Sequence, residues 1–159
     1  MGRDKRGVTT RLDEQEEQDF ERLVRRLSED EKTMRMRDYI QHGTITTHEH
    51  CMDVARCAFK LNRRLHLHAA EQALVEAGYL HDYYLYDWHH HEEPWHGYTH
   101  PKEAAKNACR DFHVTPLEEG IIRSHMWPLT LRSVPKSREA ILVCIADKIC
   151  SVRETLFCR

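Results

Sequence analysis

The chain has 159 residues and a mass of 18.9 kDa, the size of one domain. Folding should leave roughly 8,300 Å² exposed of roughly 27,000 Å² in the unfolded chain, enough burial for a core without disulfides. Lys plus Arg (24) nearly balances Asp plus Glu (26), for a formal net charge of -2, so no electrostatic basis exists for double-stranded DNA binding or an anionic membrane.

The first 12 residues are charged and carry no apolar period, and they are expected to be flexible. From Asp13 to Leu27, Phe20, Leu23, Val24 and Leu27 recur at helical spacing. Ser28-Glu29-Asp30-Glu31 is a capping-box pattern that predicts a second helix toward Ile40, ended by Gly43. Residues 13–43 therefore read as N-terminal helices packed on a core domain over 44–159. Strand signals are almost absent: there is no sustained alternation and no Asn-Gly or Asp-Gly turn.

Thr46 and Thr47 offer N-caps for an amphipathic helix over 47–65. A fourth helix is predicted from Ala69 into Leu80-His81-Asp82, followed by an irregular aromatic and His-rich stretch from Tyr83 to Thr99. Pro101 suits the first turn of a fifth helix ending near Phe112. Thr115-Pro116-Leu117-Glu118 starts a sixth, reaching Met126. A final helix runs from Lys136 or Ser137 to Phe157. Its segment Ile141–Ala146 is apolar on all sides, which predicts a central, buried position. The fold class is all-α, a compact bundle of about seven helices.

Six cysteines (51, 57, 109, 144, 150 and 158) include no C-x-x-C pair, and most lie in apolar helical stretches. Reduced thiols in a cytoplasmic protein are expected. No secretory h-region is visible near the N-terminus, and no apolar run reaches the ~18 residues of a membrane span.

The outlying number is 13 histidines, histidine being the commonest metal ligand and a frequent proton carrier. Asp147 stands in the most apolar helix, where a carboxylate needs a partner. A salt bridge to another helix and a metal would both satisfy it. His81-Asp82 ends an apolar helix, and a distortion there would let both reach one ion. His50, His100 and His125 each sit on a further helix. Four helices thus deliver imidazoles or carboxylates toward a core, as helical-bundle metal sites do.

With these residues in place the sequence resembles the HD-domain superfamily of metal-dependent phosphohydrolases. The matching segments are His50-Cys51-Met52-Asp53-Val54-Ala55, Gly78-Tyr79-Leu80-His81-Asp82, His100-Pro101, Ile121-Ile122-Arg123-Ser124-His125 and Ala146-Asp147-Lys148, and they span 44–157. The order H…HD…H…H…D is specific as a set. Helical geometry does not choose between His48 and His50, and the resemblance selects His50. It implies one divalent ion held by His50, His81, Asp82 and Asp147. A second ion would be held by Asp82, His100 and His125, with Asp82 bridging. Fe, Mn, Zn, Co or Ni suits such ligands better than Mg. His81 and Asp82 would be catalytic, and a metal-bound hydroxide would attack phosphorus. Met126 after His125, and Tyr83-Tyr84 after the doublet, depart from the cyclic-dinucleotide phosphodiesterase branch.

Candidate substrate contacts are Lys148, Arg123, His96, Trp127, Thr130 and Tyr83. Lys148 could equally be a surface or salt-bridged charge, Arg123 is with Arg132 a further phosphate-clamp candidate, and Tyr83 reads first as core. His89-His90-His91 reads as a solvated loop. His42, His66, His68 and His113 are assigned no role. Three functions stay open: hydrolysis of a small phosphorylated metabolite or nucleotide, di-iron oxygenation on the same scaffold, and a non-catalytic metal-binding interaction module. A homodimer is a further expectation, with the charged N-terminal helices as candidate surface.

Overall fold

The computed structural model describes residues 12–90 and 95–157. Its α-helices are α1 (Glu14–Ser28), α2 (Glu31–Met34), α3 (Thr47–Arg64), α4 (Glu71–Leu80), α5 (His96–Phe112), α6 (Pro116–Ser124) and α7 (Arg138–Phe157). The all-α expectation holds. Capping boxes start three of them: Asp13 with Glu16, Thr46 with Glu49, and Thr115 with Glu118. Each box satisfies amide donors that have no partner inside the helix.

Helix α3 lies centrally, packed on α4 and α7. Its Cys51, Val54, Ala55, Ala58 and Phe59 are fully buried. Helix α4 in turn packs on α1 and α6, and α6 on α5 and α7. Phe20, Val24 and Leu27 of α1 belong to the same core cluster as Leu74, Ile121 and Val143. Ion pairs Arg26–Glu76, Arg63–Asp19 and Arg64–Glu16 brace α1 on α3 and α4. At Gly78 the backbones of α3 and α4 approach so closely that a Cβ would lie 3.1 Å from Ala55 Cα.

Four elements differ from the sequence expectation. The second helix stops at Met34, passes through a 3-10 turn (Arg35–Asp38), and gives way to a hairpin of β1 (Ile40–His42) and β2 (Ile45–Thr46). Gly43 is the turn residue of that hairpin, at φ 56°, rather than a helix terminator. Strands of three and two residues are too short to show alternation. Helix α4 ends at Leu80, so His81 and Asp82 occupy a turn. Helix α5 starts at His96, five residues before Pro101, so the proline lies inside the helix and removes one of its backbone hydrogen bonds instead of opening it.

The fourth difference concerns α7. One face of it is core, yet Ile141, Ile145 and Ile149 are about half exposed. The helix is apolar all round but lies at the surface of the chain. Among the described residues the five cysteines 51, 57, 109, 144 and 150 are free, and no helix is long and apolar enough to cross a membrane. Cys158 and His91 lie outside the described residues, as does all but Leu12 of the segment expected to be flexible.

Candidate metal centre

His50, from the first turns of α3, and Asp147, from the middle of α7, face each other: His50 Nε2 lies 3.2 Å from Asp147 Oδ1. The turn after α4 inserts His81 and Asp82 between them. His81 Nε2 lies 3.6 Å from Asp147 Oδ1 and 3.4 Å from Asp82 Oδ2, and His50 Nε2 lies 3.7 Å from Asp82 Oδ2. The other oxygen of Asp82 faces the opposite way. His100 Nε2 stands 3.2 Å and His125 Nε2 3.4 Å from Asp82 Oδ1, and the two imidazole nitrogens are 2.9 Å apart. All six side chains are buried. One carboxylate thus presents one oxygen to each half of the cluster.

The four rings are set by their other nitrogens. His81 Nδ1 lies 2.7 Å from the Gly78 carbonyl, His100 Nδ1 2.8 Å from that of His96, and His125 Nδ1 2.7 Å from that of Ile122. A carbonyl only accepts, so each Nδ1 donates and each Nε2 is the nitrogen turned toward the cluster. His50 Nδ1 donates to Glu154 Oε2 at 2.8 Å. Ring orientation by an outer partner is the usual arrangement of histidines that ligate metals.

Charge is concentrated here. Burial pushes the His50 pKa down, but the carboxylates of Asp147 and Glu154 outweigh it and hold it at about 10. Burial acts the same way on His81, and Asp82 raises it well above the ordinary value. Asp82 and Asp147 resist burial and stay well below the usual carboxylate range, Asp82 beside His81 and His100, Asp147 beside His50 and His81. His125 is lowered, mainly by burial. Two groups still lack a partner: His81 Nε2 and Asp82 Oδ1 are buried without a hydrogen bond. Such orphans are costly in a core, and both face the cluster.

The HD-domain family model matches residues 47–151. The chain belongs to the HD-domain family. Its members are generally metal-dependent hydrolases of the phosphohydrolase type and typically bind divalent metals. No match was found among curated proteins or among solved structures. In this HD domain, His50, His81 and Asp147 form one group able to hold an ion, and His81, Asp82 and His125 another. The mixed imidazole and carboxylate donors, with the orphaned His81 Nε2 and Asp82 Oδ1 among them, fit a divalent transition metal.

Three residues at the cluster have no place in the sequence reading. Gln41 donates from Nε2 to Asp82 Oδ2 at 2.6 Å and accepts from the Tyr84 hydroxyl at 2.6 Å. It sits where the β1–β2 register shifts between Ile40 and His42, and such bulges re-aim side chains. Glu154 lies two turns after Asp147 on the same face of α7, and that i+7 spacing is the signal that could have found it. His42, expected to have no role, groups with His50 and Glu154. His48 is turned away, 3.0 Å from the Tyr79 hydroxyl and 3.4 Å from Arg37.

A cavity of about 610 Å³ opens onto Asp82, His100, His125 and Asp147. Its walls include Trp88, His96, Met126, Pro128, Leu129 and Lys148. His96 stacks between Trp88 and His100, with centroids 5.3 and 4.5 Å away. Lys148 Nζ donates to the His125 carbonyl at 3.1 Å. The other four candidate substrate contacts are not on this wall. Tyr83 is core, its hydroxyl bonded to Asp111 at 2.9 Å. Arg123 pairs with Glu119 at 2.7 Å on the outer face of α6. Trp127 and Thr130 also lie outside the cavity lining. His89 and His90 bond Asp87 on a partly exposed turn.

Proposed function

We propose that the chain is a metal-dependent phosphohydrolase acting on a small phosphate ester, with nucleotides among the candidates. The observation that carries this reading is Asp82. Its two oxygens face two separate imidazole pairs, whose rings are already oriented with Nε2 toward it. His50, His81, Asp82 and Asp147 would hold one ion, and Asp82, His100 and His125 a second. Two such ions supply Lewis acidity toward phosphoryl oxygens and acidify a water near neutral pH.

The protein's own groups do the rest. Asp82 and Asp147 line the cavity floor and would repel a phosphate, so an anionic substrate enters only when cations have reversed the local field. Lys148 adds a fixed positive charge on the wall. Trp88, Met126, Pro128 and Leu129 offer apolar surface for the organic part of the ester. Gln41 holds Asp82 Oδ2 in place.

The test is metal analysis of protein purified without chelator, paired with a phosphate-ester panel under Mn²⁺ and Fe²⁺. Two ions per chain and ester hydrolysis, both lost in Asp82→Ala, are expected. Metal-loaded protein that cleaves no ester in a broad panel, or iron-loaded protein that consumes O₂ with a substrate instead, would overturn the reading.

A further inference from the structure

Helix α7 carries the site on one face and a bare apolar stripe on the other. Ile141, Ile145, Ile149, Val152 and Leu156 are each 45–61 % exposed. Their spacings of 4, 4, 3 and 4 residues keep them within about 80° of one another on the helix, over roughly 22 Å of its length. The charged neighbours Lys148 and Arg153 fall on the two margins. Beside the Lys148 margin runs the segment after α6, tied down by Cys144 Sγ donating to the Trp127 carbonyl at 3.0 Å. That segment exposes Trp127, Leu129 and Leu131 as well.

The stripe and this border, whose Leu129 also lines the cavity, together leave roughly 800 Å² of these residues exposed, above the 300–600 Å² of the largest patch on an ordinary monomer. That is comparable with the ~800 Å² per partner of a standard stable interface, the α7 stripe supplying roughly half.

We infer that this face of α7 is the contact between two copies of the chain, with the two helices antiparallel about a two-fold axis near Ile149. The stripe is symmetric about the point midway between Lys148 and Ile149: in an antiparallel pair Ile145 meets Val152 and Ile141 meets Leu156, while the two Ile149 side chains lie next to each other across the axis. Every apolar side chain then finds an apolar partner, as a self-complementary interface requires, and the 4-3-4 spacing suits knobs-into-holes packing. Lys148 and Arg153 remain at the solvated rim. The charged outer face of α1, the surface suggested by sequence, offers no comparable apolar area. The all-round apolar character of α7 is thereby accounted for: one face packs on α3, α4 and α6, the other on a second α7.

Sedimentation equilibrium of the full chain should give twice 18.9 kDa at micromolar concentration. Ile149→Glu places two carboxylates face to face and should weaken dimerisation by at least ~100-fold, with helical content by circular dichroism unchanged because the site is half exposed. Mixing Ile149→Glu with Ile149→Lys should restore the dimer as a heterodimer. A monomeric wild-type chain at 100 μM, or a folded Ile149→Glu chain that dimerises as well as wild type, overturns the proposal. If Ile149→Glu misfolds, the pair Val152→Ser and Leu156→Ser decides by the same two outcomes. The result is independent of the phosphohydrolase reading, since mass is measured without turnover.

Discussion

Replacing Glu154 by glutamine removes a carboxylate that touches no part of the cavity and acts only through His50. The carboxylate is 1 % exposed and accepts from His50 Nδ1 at 2.8 Å. An outer partner of this kind is worth 10–100-fold in metal affinity, or about 1.4–2.7 kcal/mol. Gln keeps an acceptor oxygen and nearly the same volume, so the ring should stay oriented while its basicity falls. The expected loss is therefore near the lower limit, about 10-fold, and Glu154→Ala, which also leaves a void, should approach 100-fold. His50 faces one half of the cluster only, so the loss should be uneven. Calorimetric titration with Mn²⁺ should show the phase assigned to His50, His81 and Asp147 weakened, and the phase assigned to His100 and His125 within a factor of about 3 of wild type. Equal weakening of both phases, or none, would refute the role given to Glu154.

Metal binding should release protons at neutral pH, because His50, held at about 10 beside its carboxylates, must shed one to ligate; calorimetry in buffers of different ionisation enthalpy counts them. The same shifts set the pH response of the metal-free protein. His50 is raised from 6.5 to about 10, so its stabilising effect is complete below pH 6.5 and is lost as pH rises through 10, whereas the lowered Asp82 and Asp147 stabilise above their ordinary range and lose that effect in acid. Gly78→Ala should lower Tm by roughly 2–8 °C, since crowding against the Ala55 backbone costs about 2–3 kcal/mol and the helix preference of alanine offsets only ~1 kcal/mol of it. Lys148→Ala should raise KM for a phosphate ester about 10-fold, while Arg123→Ala, paired with Glu119 away from the cavity, should leave it unchanged.

The six clustered residues were legible because each is anchored on a regular helix or just beyond its end, where periodicity and caps fix the chain. Gln41 was not, because its direction comes from a bulge in a hairpin of three and two residues, which leaves no periodic trace. Tyr83 and Arg123 show the opposite error. Tyr83 adjoins Asp82 in sequence, but the turn sends its hydroxyl to Asp111. Arg123 stands two positions before His125, about 200° around the helix, and so faces out. Nearness along the chain is not nearness in direction. The apolar run of α7 was read as central because composition reports how much of a helix avoids water, not whether the cover comes from the same chain.

Helix ends explain why imidazoles converge here at all. The last carbonyls of a helix have no amide partner within it and need a donor. His81 follows α4 directly and donates to Gly78, three residues back; His125 follows α6 and donates to Ile122, three residues back. Each ring thereby satisfies a helix terminus and is locked with Nε2 aimed forward. His100 reaches the same state inside α5 through the carbonyl of His96, four residues back. His50 Nδ1 turns instead to α7, where Glu154 is its acceptor. The buried carboxylate that sequence reasoning passed over is thus the counterpart of three backbone carbonyls, and it orients the one of the four histidines whose Nδ1 is not held by its own backbone.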